Sequence, residues 1–241
     1  MSSPRTIFIT GANQGLGMHT VKQLAATPDV LVFMGSRKLA SAEEAIAKFA
    51  SDIDPSSTVV PVQLDITEAT SIQNAHDVVS KTLQEKNLSG LDVLVNNAGI
   101  SAAAGPPEVI FATNVFGTGR LTEAFLPLIK KGGSILNISS GLGSNTTFSS
   151  RPAHLPTAYL YYSASKAALN SLTVQWALDG EQNGSGIRVI SICPGLNATN
   201  FTNYVKVGAN PADGCKVIVK EALAKEGKTS VFVHKDGKYP W

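Results

Sequence analysis

Tyr162-Ser163-Ala164-Ser165-Lys166 sets a phenol and an ammonium four residues apart, which on a helix brings them to one face. A phenol with a pKa of about 10 is a workable acid and a reluctant base near neutrality. A cation beside it stabilises the phenolate and lowers that pKa, so the pair suits proton delivery to an oxygen that is gaining negative charge. Tyr159 and Tyr161 lie close by, but only Tyr162 stands four residues ahead of Lys166. Upstream, Asn137-Ile138-Ser139-Ser140-Gly141 closes an apolar run with two serines, and a hydroxyl there can polarise a carbonyl. Neighbouring strand residues point to opposite faces, so the two serines do not serve equally.

A second chemical feature is Thr10-Gly11-Ala12-Asn13-Gln14-Gly15-Leu16-Gly17. Glycines let a backbone turn sharply and approach a pyrophosphate, whose charge then meets the amides of a helix N-terminus. No Gly-Lys-Ser/Thr follows, so this is not a nucleoside-triphosphatase phosphate loop.

The elements that must position these groups alternate along the chain. Strands are expected at Thr6–Thr10, Val30–Met34, Val59–Leu64, Asp92–Asn96, Ser134–Ile138, Arg188–Ile192 and Ser230–His234. Most are apolar on both faces, the mark of a parallel sheet covered on both sides. Helical spacing occupies Leu16–Ala26, Ser41–Ala50, Thr70–Gln84, Phe116–Ile129, Tyr161–Leu178 and Asp213–Ala224. This alternation gives an α/β, doubly wound fold with a mainly parallel sheet of seven strands and helices on both faces. No linker interrupts it, so residues 1–241 read as one domain. Gly141–Pro156 and Leu196–Pro211 read as loops; both follow the C-terminal ends of strands, where ligands bind in such sheets.

The glycine turn, Leu64-Asp65-Ile66, Asn96-Asn97-Ala98-Gly99 and the Tyr162/Lys166 pair, in that order, resemble the short-chain dehydrogenase/reductase family, and in particular its NADPH-dependent carbonyl and keto reductases. The resemblance implies a Rossmann-type domain, with a cofactor half at about 1–133 and a catalytic half at about 134–241. It implies catalytic roles for Tyr162, Lys166, Ser140 (rather than Ser139) and Asn114, the last through a water that links Lys166 to solvent. Lysine in this family also bonds the nicotinamide ribose. Cofactor contacts are implied for Gly11, Asn13, Gln14, Gly15, Leu16, Gly17, Asp65, Ile66, Asn97, Ala98 and Gly99. Tyr162, Lys166, Pro194, Gly195, Leu196 and Thr199 are implied near the nicotinamide. Ser140 and Tyr162 lie farther apart than in most members, as in carbonyl reductases whose insertion here blocks helix-to-helix association. That implies a monomer or homodimer rather than a tetramer. The link from Gly99 to Asn114 is short, which would open one wall of the cofactor pocket.

The second strand ends Met34-Gly35-Ser36-Arg37-Lys38, with no carboxylate before Glu43 to pair with ribose hydroxyls. The Arg37 fork and the Ser36 hydroxyl suit a 2′-phosphate, so NADP(H) is expected over NAD(H). The expected reaction is reduction of a ketone or aldehyde to an alcohol. Non-redox use of the scaffold as a cyclase, isomerase or cofactor-sensing regulator would go with loss of the tyrosine or lysine, and both are present. Oxidation of an alcohol is the reverse alternative. Leu142, Phe148, Phe201 and Tyr204 mix with hydroxyls in the two loops and suggest a neutral, moderately apolar small-molecule carbonyl substrate.

The 241 residues carry a net charge of +2 without long runs of one sign, which argues against nucleic acid or anionic membrane partners. No apolar stretch reads as a signal or membrane span. Cys193 and Cys215 have no metal or redox spacing, and a reducing, cytoplasmic location is expected. Cys193 is expected to pack, without a histidine partner near it in sequence. The four histidines are scattered and no metal is expected.

Overall fold

A computed structural model describes residues 3–150 and 158–241. Its strands are β1 Arg5–Ile9, β2 Val30–Ser36, β3 Thr58–Gln63, β4 Leu91–Asn96, β5 Ile129–Ile138, β6 Arg188–Cys193, β7 Val231–His234 and β8 Gly237–Lys238. They form one sheet in the order β3-β2-β1-β4-β5-β6-β7-β8. The first seven are parallel; β8 folds back antiparallel on β7, pairing His234 with Gly237. Chain order reverses direction between β1 and β4, which leaves a crevice beyond their C-terminal ends.

The helices are α1 Gly15–Ala25, α2 Leu39–Ala47, α3 Ala69–Glu85, α4 Pro107–Phe111, α5 Thr118–Phe125, α6 Asn145–Ser149, α7 Leu160–Gln182, α8 Pro211–Gly214 and α9 Lys216–Leu223. Period-2 alternation splits the strand residues between two cores. Ile7, Ile9, Val32, Met34, Val95 and Ile192 meet α1, α2 and α9 on one side. On the other side Phe8, Phe33, Leu94, Ile135 and Val189 meet α3, α5 and α7. There the Phe8 ring stacks on Phe125 at 4.9 Å and meets Phe33 edge-on at 6.4 Å. Burying one such side chain is worth about 1.5–3 kcal/mol, enough for two cores to hold the sheet between its helix layers.

Four differences from the sequence expectation have physical reasons. β5 begins at Ile129 rather than Ser134, because Ile129 pairs with Leu91 and the register then shifts across Lys130–Gly133, where Gly132 takes φ +74°. Between α4 and α5 the helix continues through a π-helical segment, Ala112–Gly117, that the 3.6-residue pattern does not reveal. The helix expected over Asp213–Ala224 is broken into α8 and α9. The loop expected at Gly141–Pro156 holds a 3₁₀ turn, Gly141–Gly143, and α6, whose N-terminus is capped by Ser144 accepting from Thr147 N; its residues 151–157 lie outside the described ones.

Candidate active site

The glycine turn joins β1 to α1 at the crevice. Gly11 has φ +59°, and a β-carbon on it would lie 2.8 Å from Ala98 Cα. On Gly17 a β-carbon would lie 2.6 Å from Asn97 Nδ2 and 2.8 Å from Gly11 O. Only hydrogen fits at either place, so the turn closes tightly against the end of β4. Asn97 fastens it: Nδ2 donates to Thr10 O at 2.8 Å and Gly11 O at 3.0 Å. The Thr10 hydroxyl in return accepts from Asn97 N and Ala98 N. Asn13 is half-buried and Gln14 exposed at the entry to α1. The α1 N-terminus lacks a side-chain cap, which leaves amides free for an anion. These residues fit a pyrophosphate.

At the end of β2, Ser36 is buried and its hydroxyl donates to Lys38 O at 2.9 Å. Arg37 is exposed, and its carbonyl accepts from Gln63. Asp65 is held in its own turn, Oδ1 accepting from Thr67 N and Oγ1 at 2.9 and 2.7 Å. Ile66 beside it is buried.

Across the crevice, α7 presents Tyr162, Ser165, Lys166, Leu169, Asn170 and Thr173 to the interior, an i, i+3, i+4, i+7 stripe. Tyr162 and Lys166 are both buried, and Lys166 Nζ lies 5.9 Å from the Tyr162 ring centre. Its nearest polar partner is not the phenol: Nζ donates to Ile138 O at 2.8 Å. Burial lowers the lysine pKa from 10.5 to about 8, so the ammonium still prevails at neutral pH. Burial raises the Tyr162 pKa well above its ordinary value; the neighbouring Ser140 hydroxyl opposes this and Cys193 adds to it. The sequence reading of a lysine-lowered phenol is therefore corrected: desolvation wins, because the ammonium is drawn to the β5 carbonyl.

The two serines separate cleanly. Ser139 is buried and donates to Asn170 Oδ1 at 2.7 Å, away from Tyr162. Ser140 is half-buried beside Tyr162, its Oγ accepting from Leu142 N at 3.2 Å.

Asn114 sits in the π-helical segment with no exposure. Oδ1 accepts from Ile100 N at 2.8 Å, and Nδ2 donates to Ile100 O at 3.0 Å and Ser165 Oγ at 3.1 Å. A β-carbon on Gly99 would stand 3.2 Å from Asn114 Oδ1 and 3.6 Å from Lys166 Nζ, so Gly99 separates the two polar heads.

After β6, Pro194 and Gly195 are pinned by Asn197, whose Nδ2 donates to both carbonyls at 3.0 and 2.9 Å. Leu196 is exposed and Thr199 buried. The loop beyond reaches over the crevice: Thr199 Cγ2 and Asn200 Oδ1 each lie 3.5 Å from the position of a Gly15 β-carbon. Phe201 meets the Tyr162 ring edge-on at 5.8 Å. Tyr204 is largely exposed and Leu142 and Phe148 half-buried.

Sequence reasoning missed several supports. Cys193 does more than pack, since its Sγ accepts from Gly141 N at 3.1 Å, and burial raises its thiol pKa. His234, distant in sequence, stands opposite Cys193 in the β6–β7 register. The stretch after β7 packs through its aromatic residues: Tyr239 and Trp241 fold onto Phe232. Its two aromatic residues were the available signal. Among the described residues no three His, Cys, Asp or Glu side chains gather as metal ligands, and no helix is long and apolar enough to cross a membrane.

Comparison with known proteins adds four likenesses. The family model described as short chain dehydrogenase matches residues 5–209. The chain is 32% identical over 234 residues to the short-chain dehydrogenase anuI of Penicillium roqueforti, covering 90% of this chain and 87% of that one. It is 31% identical over 210 residues to an NADP-dependent 3-hydroxy acid dehydrogenase of Schizosaccharomyces pombe, covering 82% and 73%. Among solved structures, the NADPH-bound carbonyl reductase from chicken fatty liver superposes with a TM-score of 0.81 at 29% identity, covering 100% of both chains.

Proposed function

The chain belongs to the short-chain dehydrogenase family, and from that premise we propose that it is an NADPH-dependent reductase converting a ketone or aldehyde to an alcohol, with Tyr162 as proton donor. The observation that carries the reading is the meeting of a buried phenol, a serine hydroxyl and a buried ammonium across a crevice from a tight glycine turn.

In this reading Gly11, Asn13, Gln14, Gly15, Leu16 and Gly17 hold a pyrophosphate, Ser36 and Arg37 a 2′-phosphate, and Asp65 and Ile66 an adenine. Asn97, Ala98 and Gly99 line the groove, while Pro194, Gly195, Leu196 and Thr199 face the nicotinamide and Lys166 its ribose. The exposed Arg37 fork without a nearby acidic competitor supports NADP(H), as do the two relatives whose names carry that cofactor. When bound, that cofactor would supply a hydride to the carbonyl carbon.

The chain's own groups manage the oxygen. Ser140 donates a hydrogen bond to the carbonyl and polarises it. Tyr162, kept protonated at neutral pH by its burial, gives its proton to the oxygen as charge develops. Lys166 then stabilises the phenolate, and Asn114 holds the lysine's surroundings in register through Ile100 and Ser165. Phe201, Leu142 and Phe148 offer an apolar, uncharged surface, which fits a neutral substrate. A monomer or homodimer and a cytoplasmic setting complete the proposal, the latter supported by two buried, unpaired thiols.

The test follows nicotinamide absorbance while NADPH meets a panel of neutral and acidic aldehydes and ketones. Oxidation of NADPH in step with alcohol formation is expected, lowered about 10²–10⁴-fold by Tyr162→Phe. Substrate consumed at constant NADPH would overturn the redox reading, and a marked preference for acids would overturn the neutral pocket.

A further inference from the structure

The hairpin β7–β8 turns through Lys235 and Asp236 and returns the chain toward the catalytic edge. Tyr239 N donates to Phe232 O at 2.7 Å, and the Tyr239 and Trp241 rings pack on the fully buried Phe232 at 5.1 and 5.6 Å. Trp241 O then accepts from Thr146 N at 2.7 Å and from the Ser144 hydroxyl at 3.1 Å. So residues 239–241 bind the segment that begins at Ser140, across a separation of 97 residues at the Ser144–Trp241 bond.

The contact nearest the chemistry is at Gly141. A β-carbon there would lie 2.7 Å from Tyr239 Oη, 3.2 Å from Cζ and 3.6 Å from Cε1, so the phenol rests directly on the Gly141 backbone. The other sides of this turn are fixed as well: Gly141 N donates to Cys193 Sγ, and Gly143 O accepts from Asn170. Tyr239 closes a further side of the turn that carries Ser140.

We propose that Tyr239 is a positioning residue for Ser140, and through it for the placing of the serine hydroxyl beside Tyr162. The proposal rests on the reading of Ser140 as the carbonyl-polarising group. A turn free to move away from Tyr239 takes the Ser140 hydroxyl off Tyr162 and removes the influence that opposes the rise burial imposes on the phenol's pKa. A β-carbon at Gly141 pushes against Tyr239 and displaces the turn; removing the Tyr239 hydroxyl takes away the closest of the three contacts and lets the turn return.

Four proteins test this: Ser140→Ala, Gly141→Ala, Tyr239→Phe and the double variant Gly141→Ala/Tyr239→Phe, each assayed with NADPH and benzaldehyde across pH and by thermal unfolding. Gly141→Ala is expected to lower kcat about tenfold and to move the alkaline limb of the pH profile upward, with the double variant recovering to within about threefold of the unsubstituted protein, a coupling typical of touching residues. Tyr239→Phe alone is expected to lower kcat by about threefold or less. If the double variant is as slow as Gly141→Ala, or Gly141→Ala is as active as the parent, Tyr239 does not position the turn. If rates fall but the pH profiles coincide, the tail acts on stability alone and the proposal fails. Ser140→Ala separates the premise: full activity there fells the serine reading and this proposal together, whereas loss there without suppression in the double variant fells only the role of Tyr239.

Discussion

Lys166→Met should make the free protein more stable while destroying its activity. Lys166 is 5% exposed, and burial alone takes its pKa from 10.5 to about 8. At about 1.36 kcal/mol per tenfold change in proton affinity, keeping the charge in the folded state costs about 3 kcal/mol. Methionine has a similar length and no charge. It forfeits the hydrogen bond to Ile138 O, worth about 1 kcal/mol, so a net gain of about 2 kcal/mol is expected at pH 7. The sign follows from linkage. The folded pKa is depressed, so the penalty is whole below pH 8, where both states are protonated. It fades between pH 8 and 10.5, where the unfolded chain alone still binds the proton, and stability rises with pH in that window. The variant lacks this rise, and its advantage shrinks to nothing as pH 10.5 is approached. Urea unfolding of both proteins without cofactor, at pH 7 and at pH 10, measures the two differences. A variant less stable than its parent at pH 7, or a parent and variant with parallel pH dependence, would refute the claim that desolvation dominates at Lys166.

Other expectations follow from the same geometry. Ser140→Ala should lower kcat about 10²–10³-fold with little change in melting temperature, as removal of one polarising donor does elsewhere. Ser139→Ala should do the reverse, losing about 1 kcal/mol of stability with the bond to Asn170 while keeping most of the rate; steady-state kinetics and calorimetry on the pair distinguish them, and a silent Ser140→Ala would remove that residue from the mechanism. Arg37→Glu should reverse the cofactor preference by placing a carboxylate beside a 2′-phosphate. Comparable kcat/KM with NADPH and NADH in the unsubstituted protein would remove its premise. Gly17→Ala should weaken cofactor binding more than it slows turnover at saturation, because its β-carbon meets backbone at 2.8 Å on two sides; fluorescence titration with NADPH reads this, and unaltered affinity would count against the turn's role.

What was legible in the sequence was whatever local pattern encodes. The central strands are apolar on both faces, as Ile7-Phe8-Ile9 and Val93-Leu94-Val95 show, and a buried parallel sheet follows from that alone. The α7 pair was legible because helical spacing fixes which side chains share a face. Alternation also told that Ser139 and Ser140 diverge, but not which one meets the phenol, since that depends on the side of the sheet that α7 occupies. The sign of the tyrosine shift was not legible, because it depends on burial and on a carbonyl of β5 that competes for the lysine. The start of β5 was hidden by Lys130-Lys131-Gly132-Gly133, a stretch that reads as loop until Ile129 finds Leu91. The packing of Tyr239 and Trp241 joins segments far apart in the chain: two aromatic side chains signal burial, but nothing local says against what.

The π-helical segment at Ala112–Gly117 makes chain length, rather than residue identity, the guarded quantity in this part of the molecule. A π turn accommodates one residue more than an α turn inside an otherwise continuous helix. Removing one residue there would let the helix close into uninterrupted α-helix with the flanking helices in phase, whereas the same deletion from a plain α-helix rotates everything beyond it by about 100°. What would be lost is the wide turn itself, and with it the seat that holds Asn114 against Ile100 and Ser165. Phe116 is largely exposed and can be exchanged for many residues, yet it cannot be deleted. Tolerance of substitution and intolerance of deletion thus coincide at one position, and a shorter chain could keep this site only by moving its asparagine along the helix.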